Sequence, residues 1–182
     1  MNEERFHKLY VDQFADVWRF IRRRSASSTD ADDVVAETFA VAWRRREDLP
    51  DDDVRPWLFV VARHALANHR RSGERRARLH ERLAGTRVSN SYSVDMNGEQ
   101  SALWEALATL SEVDRDLLLM RSWDEMAVTE IATVLECTPN TVSSRLHRAR
   151  DRLTRELARQ EADPDGHVEA GPQTKEMSER DS

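Results

Sequence analysis

The sequence predicts an all-α fold: two small helical domains joined by a flexible linker, the second containing a helix-turn-helix. Three observations carry this. Apolar residues recur at three- and four-residue steps along most of the chain, and no alternating run is long enough for a strand. Only 5 glycines and 5 prolines stand among 182 residues, too few for the many tight turns of an all-β protein. Charged residues make up 34% and hydrophobic residues 39%, a balance suited to amphipathic surface helices rather than one large core.

The elements follow in order. Phe6, Leu9, Tyr10, Phe14, Val17, Trp18 and Ile21 mark a first amphipathic helix. A break is expected at residues 25–29, with Thr29 or Asp30 capping a second helix whose apolar face is Val35, Phe39, Ala42 and Trp43. Leu49-Pro50-Asp51-Asp52-Asp53 ends that helix as a loop, and a third runs from about residue 55 to 71 or beyond. Residues 1–78 make the first domain. Residues 79–98 carry Gly85, Gly98 and a Ser/Asn cluster without helical period, which reads as the linker. Residues 99–160 make the second domain. It opens on a helix near residues 101–110, followed by one from Ser111, where Ser-x-x-Asp ending at Asp114 resembles a capping box. Residues 161–182 hold no aromatic residue, two glycines and two prolines, and read as an acidic disordered tail.

Composition excludes several classes. One cysteine, Cys137, cannot form an internal disulfide, and no Cys/His cluster has the spacing of a zinc site. The start MNEERFHKLY lacks the basic and apolar regions of a secretory signal. The longest apolar run, Trp57 to Ala62, is six residues, against the roughly 18 that suggest a membrane span. The expectation is a cytoplasmic protein without membrane insertion or cofactor. A net charge of −6 taken whole counts against nucleic acid. Yet the tail alone holds 7 acidic against 2 basic residues, and residues 1–78 hold 16 basic against 14 acidic. The bulk charge therefore decides little.

The sharpest local pattern is AVTEIATVLECTPNTVSSRLHRARDRL, residues 127–153. A short helix bearing Ile131, Ala132 and Leu135 meets a tight connection at Glu136-Cys137-Thr138, and Pro139 opens a second helix. Proline suits a first helical turn, where its missing N–H would have no partner anyway. Val142, Leu146, Ala149 and Leu153 make the buried stripe of that helix. Ser143, Ser144, His147 and Arg148 then point outward, short-chained at the start and basic further on, as a helix entering the major groove requires. Thr141 and Arg145 border this face, and Arg150 and Arg152 flank it within reach of phosphates.

A second pattern begins at Arg55: RPWLFVVARHALANHRR. Trp57, Val61, His64 and Asn68 fall on one helical face, with Leu58, Ala62, Ala65 and Leu66 behind as core. Arg70, Arg71, Arg75, Arg76 and Arg78 follow. An aromatic surface beside a basic track can hold unpaired bases, stacking contributing roughly 1–3 kcal/mol per base. In DADDVVAETF, residues 30–39, Asp33 and Glu37 lie one turn apart. No third ligand completes a metal site, and an acidic face backed by Phe39 and Trp43 suits a protein partner. No nucleophile, acid–base pair or metal set converges, so an enzyme is not expected. On these residues alone, an autonomous helix-turn-helix regulator with a ligand-binding or dimerising first domain stays open.

The order of these motifs resembles the small extracytoplasmic-function (ECF) group of bacterial RNA polymerase sigma factors, over about residues 5–158. The resemblance implies a non-enzymatic promoter-specificity subunit that binds core RNA polymerase. Asp33 and Glu37 would dock on the clamp helices of the β′ subunit. The loop 51–55, ending on Arg55, and the helix bearing Trp57, His64, Asn68, Arg70 and Arg71 would melt the minus-ten element and capture a base of the non-template strand. Thr141, Ser143, Ser144, Arg145, His147 and Arg148 would read the minus-thirty-five element, while the second domain's body docks on the flap tip of the β subunit. An anti-sigma partner is implied as well. The chain departs from the family at Ala36, where Gln is usual, at His64 for Asn, at Asn68 for Asp, and at Asn140 and Ser143, which replace a Gly and a basic residue.

Overall fold

The computed structural model describes residues 3–50, 53–84 and 98–162. Every regular element among them is a helix: α1 (Glu3–Arg22), α2 (Ser28–Arg44), α3 (Val54–Ala84), α4 (Gly98–Thr109), α5 (Glu112–Ser122), α6 (Val128–Val134) and α7 (Pro139–Ala162). Helices α1, α2 and α3 pack on one another, as do α4–α7 around α7.

Glu3 and Glu4 in the first turn of α1 and Arg19 and Arg22 in its last complement the helix dipole. The helix buries Val17, Phe20 and Ile21. It ends three residues before the expected break, and α2 starts correspondingly early. Its cap is Ser27, not Thr29 or Asp30. Ser27 Oγ accepts from the Asp30 N–H at 3.1 Å and donates to the Asp30 carboxylate at 2.8 Å. A Ser with an acid three residues on satisfies both ends of the first turn, so it outcompetes a cap further along. Helix α2 buries Ala31, Val34, Val35, Thr38, Phe39 and Ala42. Trp43, expected on the buried face, stays 39% exposed at the rim, its ring edge-on to Phe6 at 4.9 Å.

Helix α3 is 31 residues long, about 46 Å. Leu58, Phe59, Ala62, Ala65 and Leu66 are its core residues, and Phe59 stacks on Phe20 at 4.7 Å. The helix begins at Val54, so Arg55 is helical rather than part of the loop; residues 51 and 52 lie outside the described residues. It also continues through residues 79–84, where the linker was expected to begin. The sequence there, LHERLA, is made of strong helix formers apart from one His, and nothing breaks it before Gly85. Residues 85–97, the rest of the expected linker, and 163–182, nearly all of the expected tail, lie outside the described residues.

In the second half, Ser111 caps α5 by accepting from the Asp114 N–H at 3.2 Å. The box is only half made, because the Asp114 carboxylate turns to Arg152 of α7 instead. Ile131, Ala132 and Val134 of α6 pack with Val142, Leu146 and Ala149 of α7. Helix α3 also packs against α6, and one cluster of buried apolar residues runs through both halves.

Candidate nucleic-acid interface

The α6–α7 turn is built by backbone hydrogen bonds. Cys137 N–H donates to Ala132 O at 3.0 Å and Glu136 N–H to Thr133 O at 3.2 Å, the paired closure of a Schellman motif. Glu136 takes the left-handed position, φ 51°. Thr138 then starts α7, its Oγ1 accepting from the Thr141 N–H at 3.2 Å. With Val142, Leu146 and Ala149 buried, Ser143, Ser144, Arg145, His147 and Arg148 are all exposed, and Thr141 is half-buried with its hydroxyl 2.9 Å from that of Thr138. Arg148 Nε donates to Ser144 O at 3.3 Å, and His147 Nδ1 stands 3.4 Å from Asp151 Oδ1. Arg152 is different: expected to reach phosphate, it ion-pairs with Asp114 and ties α7 to α5.

On α3, His64, Asn68 and Arg71 share one exposed line, with Trp57 half-buried at its head. Arg71 Nη2 donates to Asn68 Oδ1 at 2.6 Å, so the two side chains hold each other. Arg55 and Arg70 are turned away from this line. Arg55 Nη1 donates to Glu130 Oε1 at 3.0 Å and Nη2 to Asp124 O at 2.6 Å. Arg70 Nη2 donates to Arg24 O at 3.1 Å, and the side chain ion-pairs with Glu112. Beside the N-terminus of α3, a cleft of about 440 Å³ opens between α1 and residues 46–50 and 53–55, lined among others by Arg5, Lys8, Asp12, Arg46, Asp53 and Arg55.

Sequence reasoning passed over Arg23 and Arg24. Arg24 is 3% exposed, its guanidinium 3.8 Å over the Phe20 ring, with Nε 3.0 Å from Asp116 and Nη1 3.1 Å from Asp124. Arg23 Nη2 lies 3.3 Å from Asp124 and donates to Trp123 O at 2.9 Å. Burial pushes the Asp124 carboxyl up and the Arg23 guanidinium down, each toward neutrality and against the pull of its partner. The only hint in the sequence was the run Arg22-Arg23-Arg24 directly after a buried Phe20 and Ile21.

Asp33 and Glu37 are exposed one turn apart on the solvent face of α2. Where α1 meets α2, an aromatic group of Phe6, Tyr10, Phe14, Phe39 and Trp43 has ring centroids 4.7–6.3 Å apart. Tyr10, Phe14 and Trp43 in it are more than a third exposed. Among the described residues no three His, Cys, Asp or Glu side chains gather as a metal site, and no helix is long and apolar enough to cross a membrane.

Two family descriptions match the chain: sigma-70 region 2 over residues 9–76, and sigma-70 region 4 over residues 100–153. The ECF RNA polymerase sigma factor SigL of Mycobacterium tuberculosis is 33% identical over 149 residues, covering 78% of this chain and 82% of that protein. The ECF RNA polymerase sigma factor SigM of Bacillus subtilis is 26% identical over 157 residues, covering 84% and 93%. Among solved structures, the sigma factor RpoE in complex with the anti-sigma factor NepR, from Bartonella quintana, shares the fold with a TM-score of 0.68 at 21% identity, covering 85% of this chain and 98% of that one. CnrH in complex with the cytosolic domain of CnrY has a TM-score of 0.64 at 26% identity, covering 87% and 90%.

Proposed function

This chain belongs to the extracytoplasmic-function group of RNA polymerase sigma factors, and from that premise we propose how its surface is divided between polymerase and promoter. As such a factor it binds core RNA polymerase and directs promoter recognition, melting and transcription initiation. Sigma factors are non-enzymatic; bond formation belongs to the polymerase. Residues 1–78 act as region two and 99–160 as region four, with 79–98 joining them, a division supported by the matched spans 9–76 and 100–153. The chain works in the cytoplasm, where the polymerase is.

Asp33 and Glu37 dock on the clamp helices of the β′ subunit. Their carboxylates are exposed on the solvent face of α2, a placement that takes a partner helix carrying basic side chains. Trp57, His64, Asn68 and Arg71, with Arg55 and Arg70 near them, engage the minus-ten element. A rigid helix presents the first four as a line, and the cleft of about 440 Å³ at its N-terminus has room for one unstacked base. Thr141, Ser143, Ser144, Arg145, His147 and Arg148 enter the major groove at the minus-thirty-five element. With Ser at position 143, base reading there is by a short hydroxyl, and the longer reach comes from Arg145 and Arg148. The body of α4–α7 docks on the β flap. An anti-sigma factor covers the chain when it is idle, by analogy with CnrH, which is 26% identical and is bound by the cytosolic domain of CnrY.

The single observation that carries this reading is that Asp33 and Glu37 on α2, His64, Asn68 and Arg71 on α3, and Ser143, Ser144, Arg145, His147 and Arg148 on α7 are exposed, each helix being backed by buried apolar residues. Three charge or side-chain replacements test it. Asp33→Arg/Glu37→Arg abolishes co-purification with core polymerase. His64→Ala/Asn68→Ala keeps core binding and loses promoter opening, read by permanganate footprinting. His147→Ala/Arg148→Ala keeps both core binding and opening on a pre-melted template, and loses at least tenfold on duplex promoter, since each good base or phosphate contact contributes about 1–3 kcal/mol. Equal loss of core binding in all three would overturn the division.

A further inference from the structure

Helix α3 is longer than either helix it packs on, 31 residues against 20 in α1 and 17 in α2. Between its residues 66–77 and the α1–α2 turn lies a cavity of about 500 Å³, a volume typical of small-molecule sites. The lining is basic on balance: Arg24, Arg70 and Arg76 with His69, against Asp30 and Glu74. Both carboxylates are already engaged. Glu74 accepts from Arg78 at 3.1 Å, and Asp30 takes the Ser27 hydroxyl at 2.8 Å with His69 Nε2 3.0 Å away. Arg70 is held by Arg24 O and Glu112, while Arg76 is exposed. Arg24 is 3% exposed, and Nη2 is the one nitrogen of its guanidinium without a hydrogen-bond partner among the described residues. A buried cationic donor left unmatched is costly, and an anionic oxygen is the strongest acceptor for it. Helix α2 also begins at this rim, capped by Ser27 between the lining residues Ala26 and Asp30, so the positive end of its dipole adds to the attraction for an anion.

Gly73 gives the cavity a bare stretch of wall. A Cβ there would meet nothing within 4 Å, so no neighbour in the chain requires glycine, and inside a helix glycine is less stable than alanine. Leu66 lies two turns before it and Ala77 one turn after it on the same side of α3. Backbone bared between apolar side chains suits the close approach of a planar ring. We propose that this cavity binds a nucleoside polyphosphate, its base laid against Gly73 and its phosphates reaching Arg24, Arg76 and the start of α2.

Promoter DNA is not the occupant. At about 100° per residue, Leu66, Gly73 and Ala77 centre roughly half a turn around α3 from His64, Asn68 and Arg71. A strand lying on that exposed line leaves the cavity to another ligand. This comparison alone rests on the assignment of α3 to the minus-ten element; the cavity and its charges do not. A bound nucleotide ties the α1–α2 turn to the far half of α3, and it stabilises the folded chain by linkage.

The test titrates the full chain with ATP and, separately, with GTP by isothermal calorimetry at fixed ionic strength. Adenosine and inorganic phosphate serve as the two halves of the ligand. The expected result is saturation of a single site per chain by at least one nucleotide, about tenfold or more tighter than either half, with a higher melting temperature in its presence. Gly73→Leu puts a side chain into the cavity, leaves the charge unchanged and installs a strong helix former. It is expected to weaken the nucleotide about tenfold, as is Arg76→Gln through loss of a charge-assisted contact. Arg75→Gln removes the same charge from the opposite side of α3 and should leave binding unchanged. The proposal is overturned if neither nucleotide saturates a single site, or if phosphate or adenosine alone binds as tightly. It is equally overturned if Arg75→Gln weakens binding as much as Arg76→Gln, or if a single-stranded 20-mer displaces the nucleotide, which would make the cavity a DNA-phosphate site. Should Gly73→Leu fail to fold, the contrast between Arg76→Gln and Arg75→Gln decides alone. Holoenzyme carrying His64→Ala/Asn68→Ala reports separately on the minus-ten assignment: normal promoter opening there removes that reading and leaves the nucleotide titrations as they stand.

Discussion

Asp30 shows how one side chain can set both a helix start and a tertiary contact. Its carboxylate takes the Ser27 hydroxyl at 2.8 Å and lies 3.0 Å from His69 Nε2 of α3. The Ser27 hydrogen bond foremost, with His69 adding to it, holds the carboxyl below its ordinary range although partial burial opposes them. A carboxyl depressed in the folded state adds stability above its unfolded value of about 3.9, and loses it as pH falls through the lower folded value. Asp30→Asn is thus expected to melt earlier in urea than the native chain at neutral pH, with the gap shrinking once pH falls below about 4. A gap independent of pH would show that the charge is not what matters. The same scale explains what single residues allowed to be read in advance. His64, Asn68 and Arg71 emerged on a common exposed line because helical spacing alone decides it. Arg55 and Arg70 did not, because their partners Glu130 and Glu112 belong to another helix, 75 residues away for Arg55.

Among the elements, α6 and α7 were the most legible, because every determinant is local: a stripe at Val142, Leu146 and Ala149, a proline at the first turn, and four residues between. Only the left-handed Glu136 was hidden. Glycine is the usual residue there, and a side chain in that conformation costs roughly 1–2 kcal/mol. Glu136→Gly is therefore expected to stabilise the protein by about 1 kcal/mol after glycine's own entropy loss is subtracted. Denaturant melts check this, and promoter selection should not change because position 136 precedes the exposed face of α7. Lower stability would mean that the Glu136 side chain makes a contact worth more than its strain. Helix α2 starts two to three residues earlier than expected because Ser27, paired with Asp30, forms a better cap than Thr29 or Asp30 would. Helix α3 outran its expected end because residues 74–84 hold neither glycine nor proline, so nothing after Gly73 disfavours helix until Gly85.

For the molecule as a whole, charge is organised by partner rather than by net balance. A chain of net charge −6 places exposed arginines on α3 and α7 and exposed carboxylates on α2. The separation of two helical stretches was visible in the glycines and the Ser/Asn cluster between them. How the units meet was not, since ion pairs such as Arg24–Asp116, 92 residues apart, leave no periodic trace. All of this presumes that promoter choice by the polymerase passes through this chain. The most direct measurement is transcription from fragmented genomic DNA of the source organism by core polymerase, with and without the protein, mapping every RNA 5′ end. The account predicts a set of starts that appear only with the chain and share one pair of upstream elements at the minus-ten and minus-thirty-five positions. Starts identical to those of core polymerase alone, or chain-dependent starts with no shared upstream element, would contradict it.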